Sequence, residues 1–246
     1  MKILIDKHKN KKINPIGVSV IGPEHIKNNI SNQDSFSIVK NDNYTLLVIS
    51  DGMGSKKYAD IGSKKACYAV RKAICNYMKL KQKSMSFSLL FKNIINIWEN
   101  SLLPYLAKDC SSTCLFSFIT KDKILLARLG DGMICLLGKN KQDDLLITDE
   151  KKEEFINSSN SLSDTLAYQE FEYKVVDREK IKAILITTDG ISSDLKENSH
   201  IPFSRDLIKS LKTQNIFNRK KSLIKMLKEW PVAHHTDDKT IVVMEL

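Results

Sequence analysis

The chain has 246 residues, 42% hydrophobic and 28% charged, enough for one large domain or two small ones with a sizeable core. No apolar run is long enough to span a bilayer, and Ile3-Leu4-Ile5 is too short for the apolar segment of a secretory signal, so a cytoplasmic protein without a membrane partner is expected. The formal charge of +10 raises nucleic-acid binding, but no basic cluster (Lys7 to Lys12, Lys79 to Lys83, Arg219 to Lys228) is interleaved with stacking aromatics, so none is expected.

Taken in order, the chain opens with a polar, lysine-rich stretch carrying an expected short edge strand at Lys2 to Ile5. Pro15 to Ile21 reads as a strand and Gly22 to Gln33 as a loop. Asp34 opens a second strand, and Asn41-Asp42-Asn43 turns the chain into a third, Tyr44 to Ser50. The apolar period then lengthens. Ala66, Ala69, Val70, Ala73, Ile74 and Tyr77 share one helical face, and Ser86 is placed to cap a second helix whose stripe runs from Phe87 to Leu102. Strands return at Ser112 to Thr120, Ile124 to Leu129, Met133 to Leu137, Leu145 to Thr148, Phe171 to Val176 and Ala183 to Thr188. Residues 204–229 carry helical periodicity, and Thr240 to Met244 closes the chain as a strand. Hairpin turns outnumber βαβ alternation, so an α+β sandwich of largely antiparallel sheets flanked by helices is expected, undivided over 1–246. The polar stretch 149–169 is expected to be a surface insertion. Five cysteines lie far apart; Cys110 and Cys114 lack a second pair or a histidine at zinc-site spacing, so free buried thiols are expected.

One device recurs. Leu46-Leu47-Val48-Ile49-Ser50 ends at Asp51-Gly52, and the same ending follows at Gly130-Asp131-Gly132 and Thr188-Asp189-Gly190, while Asp237-Asp238 precedes the last strand. A single Asp-Gly pair is an ordinary turn. An ordered set of strand-end carboxylates, with Asp34 at the start of another strand, is not. Gathered together, such charges repel unless a cation neutralises them, and an all-oxygen set selects magnesium or manganese over zinc. Two such ions, bridged by one carboxylate, lower the pKa of a water held between them and aim it at phosphorus.

These motifs resemble, in order from Gly22 to the C-terminus, the metal-dependent protein serine/threonine phosphatases of type 2C, and most closely their compact prokaryotic branch. The matching stretches are Gly22-Pro23-Glu24-His25, Asn32-Gln33-Asp34, Ser50 to Ser55 continuing to Asp60-Ile61-Gly62, Gly130-Asp131-Gly132, Thr188 to Ile191, and Asp237-Asp238-Lys239-Thr240. The resemblance implies a four-layer α-β-β-α sandwich with two manganese or magnesium ions at one end. It assigns Asp51 as bridging ligand, the Gly52 carbonyl as a further ligand, Asp189 and Asp237 to the second metal, and Asp34 to a metal-bound water. Asp131 would join Asp189 at a looser third metal. A one-residue slip in the last motif would exchange Asp237 for Asp238. The resemblance also implies a phosphorylated protein substrate of a cognate serine/threonine kinase, with 149–169 as the variable flap.

Two positions depart from the pattern. Asn29 stands where many relatives carry the arginine that grips the substrate phosphate, leaving His25 or Lys56 as candidate substitutes. Met53 stands where some relatives carry a histidine general acid, as it does in many bacterial members. Both keep open an alternative class: a weakly catalytic, phosphatase-like module that binds a phosphorylated partner. His234 and His235 lie near the last aspartates and are weighed as metal or phosphate contacts against a solvated loop.

Overall fold

Strand β3 (Thr45–Asp51) shows how the layers arise. Its consecutive apolar residues point alternately to opposite faces, Leu46 and Val48 into one core and Leu47 and Ile49 into another. A strand buried on both faces must lie inside the molecule, with a layer on each side. This computed structural model describes residues 12–79, 86–148, 161–163 and 168–246.

The other strands are β1 (Ile16–Val20), β2 (Asp34–Lys40), β4 (Cys114–Ile119), β5 (Lys123–Leu129), β6 (Met133–Gly138), β7 (Leu145–Ile147), β8 (Glu172–Asp177), β9 (Ile181–Thr187) and β10 (Lys239–Glu245). One sheet has the order β1-β10-β9-β6-β7, the other β2-β3-β4-β5-β8, and the pairings in both are antiparallel. Leu47, Ile49 and Leu126 of the second sheet pack with Ile134, Ile186 and Val242 of the first, forming the core between them.

Helices cover both outer faces. They are α1 (Pro23–Lys27), α2 (Ala59–Lys79), α3 (Phe87–Ser101), α4 (Asp189–Ser192), α5 (His200–Lys212) and α6 (Ile216–Lys228). Val70, Ala73 and Ile74 of α2, with Phe91, Ile94 and Trp98 of α3, close over the second sheet. Leu207 and Leu211 of α5, with Leu223 and Leu227 of α6, close over the first. The result is the expected four-layer α+β sandwich. Ser86 caps α3 as expected, accepting from the Leu89 N–H at 3.3 Å.

The expected loop after β1 contains α1, which Pro23 opens with its fixed φ and missing N–H. The single helical pattern at 204–229 is two helices: the Asn215 side chain accepts from Asn218 N–H at 2.9 Å and starts α6 afresh. The Lys2 to Ile5 strand and most of the 149–169 insertion lie outside the described residues. Cys67, Cys110, Cys114 and Cys135 are buried and, with Cys75, carry free thiols. Among the described residues no helix is long and apolar enough to cross a membrane.

The sheets matter to the site through their rims. Asp34 faces Asp51 in the β2–β3 register, Asp189 follows the end of β9, and Asp237 precedes the adjacent start of β10. Antiparallel neighbours put one strand's end beside the next strand's start, so residues far apart in sequence share one edge. The chain leaves that edge through α2, whose start is anchored by Trp98: its indole N–H donates to the Gly62 carbonyl at 3.1 Å, and its side chain is fully buried. Trp98→Ala is expected to lower stability by about 3–5 kcal/mol, read as a shifted urea midpoint with unchanged slope.

Candidate metal centre

Asp51, Asp189 and Asp237 each offer a carboxylate oxygen, and these three atoms lie within 4.8 Å of one another. Each is fixed by its local chain. Asp51 ends β3, and its N–H donates to Thr113 Oγ1 at 2.8 Å while Thr113 N–H donates back to the Asp51 carbonyl at 2.7 Å. Asp189 is the first residue of α4. Gly190 lets α4 pass against the last turn, because a Cβ there would strike the Asp238 carbonyl. Asp237 accepts from the N–H of its neighbour Asp238 at 2.8 Å, which orients its side chain.

Asp34 stands behind this group, buried. Its Oδ2 accepts from Thr188 Oγ1 at 2.9 Å, and Thr188 Oγ1 in turn accepts from Thr240 N–H at 3.1 Å. Asp34 Oδ1 and Asp189 Oδ1 are buried without a hydrogen-bond partner. Orphaned acceptors of this kind are rare in folded proteins and point to an absent ion or water.

Burial pushes the Asp34, Asp51 and Asp237 carboxyls above the ordinary carboxylate range, and the charges of neighbouring aspartates push them further. A divalent cation supplies what is missing: positive charge for the crowded carboxylates and a partner for the orphaned oxygens. The donors are oxygens, which suits magnesium or manganese.

Asp51, Asp189 and Asp237, but not the set-back Asp34, line a cleft of about 220 Å³ together with His25, Gln33, Gly52, Met53, Thr113 and Asp131. Asp131 is carried by the β5–β6 corner, where Gly130 and Gly132 take φ values of 89° and 100° that side chains disfavour. Lys56 is absent from the lining.

Asp238 does not share this cleft. Its Oδ1 accepts from Gly22 N–H at 2.7 Å and its Oδ2 from Gln33 N–H at 2.6 Å. His25 Nδ1 lies 2.9 Å from the same Oδ2, close enough for an ion pair but off the line of a hydrogen bond. Asp238 therefore clasps the segment between β1 and β2, and Asp237 is left to face the carboxylates. His235 Nδ1 is 2.9 Å from the Val232 carbonyl, and neither His234 nor His235 lines the cleft.

Two supporting residues escaped the sequence reading. Thr113 pins Asp51 from the polar lead-in to β4, and nothing in Ser111-Ser112-Thr113 marks that contact. Thr188 binds Asp34, and its place directly before Asp189-Gly190 was the available signal.

A sequence profile described as Protein phosphatase 2C matches residues 21–228. Among curated proteins, none matches the chain in sequence. The fold is similar to that of serine/threonine phosphatase Stp1 from Staphylococcus aureus, with 17% identity, a TM-score of 0.65, and 96% of each chain covered. It is also similar to a bacterial serine phosphatase, at 17% identity and a TM-score of 0.67 over 95% of this chain and 97% of that one. A third likeness is to the catalytic domain of the serine threonine protein phosphatase PstP in complex with two manganese ions, at 16% identity and a TM-score of 0.61, over 95% of this chain and 98% of that one.

Asp238→Ala would strand two buried N–H groups, at about 1–3 kcal/mol each. A loss of about 2–5 kcal/mol is expected in chemical denaturation. Carboxyls whose folded pKa is raised hold protons that the unfolded chain has released, so without metal their contribution to stability falls as pH rises above the ordinary 3.8. Metal binds the deprotonated form. Manganese at about a hundred times its Kd is therefore expected to raise Tm by roughly 5–10 °C near pH 7.5, and by clearly less near pH 5. Thermal melts with manganese and with EDTA at the two pH values measure this.

Proposed function

The chain belongs to the protein phosphatase 2C family of metal-dependent serine/threonine phosphatases, and from that premise we propose that it hydrolyses phosphoserine and phosphothreonine in protein substrates, with no covalent enzyme intermediate. The observation that carries this reading is the meeting of Asp51, Asp189 and Asp237 within 4.8 Å at one rim of the sandwich. Manganese or magnesium ions held by these residues would neutralise the developing charge on the phosphoryl oxygens and supply an activated water for in-line attack at phosphorus.

The remaining roles belong to the chain's own groups. Asp51, within 4.8 Å of both Asp189 and Asp237, is the proposed bridging ligand, and the Gly52 carbonyl is proposed as a further donor. Asp34 is set back, with one oxygen held by Thr188 and the other unpartnered, and that free oxygen is proposed to accept a proton from water and so orient it. Asp131, carried on its glycine corner, is proposed for a looser third ion beside Asp189. His25, next to Glu24 on α1, is the one side chain able to carry positive charge among the described residues of the cleft wall, and it is proposed to contact the substrate phosphate in place of the missing arginine. Lys56 is the weaker candidate, since it does not line the cleft. The substrate is proposed to be the product of a cognate serine/threonine kinase, and the whole chain is proposed to act as one domain.

Hydrolysis of p-nitrophenyl phosphate and of a phosphothreonine peptide is expected to require manganese or magnesium. Asp51→Asn and Asp189→Asn are each expected to lower it at least about 100-fold, because even an outer partner of a metal ligand is worth 10–100-fold. Activity that survives EDTA and both substitutions would reject the proposal. Tight phosphopeptide binding with manganese but no phosphate release would instead assign the chain to the binding-module class.

A further inference from the structure

A second depression of about 400 Å³ adjoins the cleft and shares Asp237 with it. Its floor is aliphatic, formed by Val20, Pro23, Ile26 and Leu227, and its rim carries Lys228 and His235. Helix α1 is the wall between the two. His25 lines the cleft, while Pro23 and Ile26 line the groove. Ile26 is 62% exposed, although its own N–H donates to the Gly22 carbonyl at 3.0 Å and the N–H of Glu24, two residues earlier, donates to the Thr236 carbonyl at 3.3 Å.

We infer that this groove receives an aliphatic side chain of the phosphoprotein substrate, one to three residues from the phosphorylated serine or threonine. The inference rests on the proposed hydrolysis and adds which sequences are chosen. Continuity is its first support. A phosphorylated residue with its phosphate against Asp51, Asp189 and Asp237 has neighbours within one to three steps of about 3.3–3.6 Å, and on the Asp237 side those steps lead over α1 into the groove.

Charge is the second support. The cleft is acidic, whereas the groove sets Lys228, Lys239 and His235 against the single shared carboxylate of Asp237, so a segment with an aliphatic residue followed by a carboxylate matches the groove and is repelled by the cleft. That fixes the direction in which the chain lies: phosphate inward at the aspartates, acidic flank outward beside Lys228. The aliphatic floor has the size and composition of a side-chain pocket rather than of a flat contact.

The test is a panel of nine-residue phosphothreonine peptides carrying leucine, aspartate or glycine at each of three positions on either side, with p-nitrophenyl phosphate as the substrate that has no flanks. Burying one leucine is worth about 1.5–3 kcal/mol, roughly 10–100-fold. Leucine at one flanking position is expected to raise kcat/KM at least about tenfold over glycine. Ile26→Asp, at an exposed position, is expected to remove that preference and leave turnover of p-nitrophenyl phosphate unchanged. Equal kcat/KM across the panel, or a leucine preference untouched by Ile26→Asp, overturns the inference.

Failure of the hydrolysis reading is separable, because it abolishes turnover of p-nitrophenyl phosphate as well. In that case fluorescence anisotropy of the same labelled peptides decides: preferential binding of the leucine peptide, lost in Ile26→Asp, supports the groove, and its absence overturns it. A dimer in sedimentation that Ile26→Asp dissociates would assign the groove to a second copy of the chain and also overturn it.

Discussion

Repulsion between carboxylates at the rim of the sandwich is the constraint around which the molecule is organised. Asp34, Asp51, Asp189 and Asp237 are brought close by four separate segments, and burial makes the charges of Asp34, Asp51 and Asp237 harder to hold. An arrangement with this self-energy needs a rigid scaffold, with either protons or a cation to offset the repulsion. The rigidity is visible in how little of the rim is free to adjust. Thr113 locks Asp51, Thr188 locks Asp34, and Thr240 locks Thr188. Each restraint crosses from one strand to another, so movement of one aspartate has to move two strands.

The sheets make such restraint possible. Strands β3 and β9 lie in different sheets, separated by the core that contains Leu47, Ile49, Ile184 and Ile186. Both carry their aspartate at the C-terminal end, and both are buried along nearly their whole length. Slippage of either by one residue would exchange the faces of the strand, so that side chains shaped for one core would have to pack in the other. The register of the hydrophobic residues thus fixes the position of the charges to within a fraction of a residue. Packing, rather than any contact among the aspartates, sets their separation.

Much of this was legible in the chain. Unbroken apolar runs such as Leu46 to Ile49 and the stripe from Phe87 to Trp98 identify the layers, and the repeated aspartate corners identify the rim. What the sequence left open has physical reasons. A helical period does not by itself place a break of three residues, so the boundary between α5 and α6 within 204–229 becomes visible only with the Asn215 cap. The clasp by Asp238 joins residues more than 200 positions apart, and the acceptor of two main-chain N–H groups has no signature in side-chain spacing. Helix α1 is short and exposes most of its surface, so it lacks the buried stripe that marks α2 and α3.

Asp237 and Asp238 show why neighbouring carboxylates need not be interchangeable. Both oxygens of Asp238 are engaged, by Gly22 N–H and Gln33 N–H, and the side chain is 1% exposed and lies outside the cleft lining. Asp237, by contrast, is held through one contact with its neighbour's N–H and remains the most open of the three gathered aspartates. Exchanging their roles would demand that the β1–β2 segment, α1 and His25 all shift together. The same clasp that excludes Asp238 from the centre therefore places α1, and a helix that must stay in position to hold Asp238 also stays in position as the wall of the cleft. Structural and functional demands on these two residues are met by one turn, because a carboxylate saturated by the main chain fixes the backbone from which its neighbour projects.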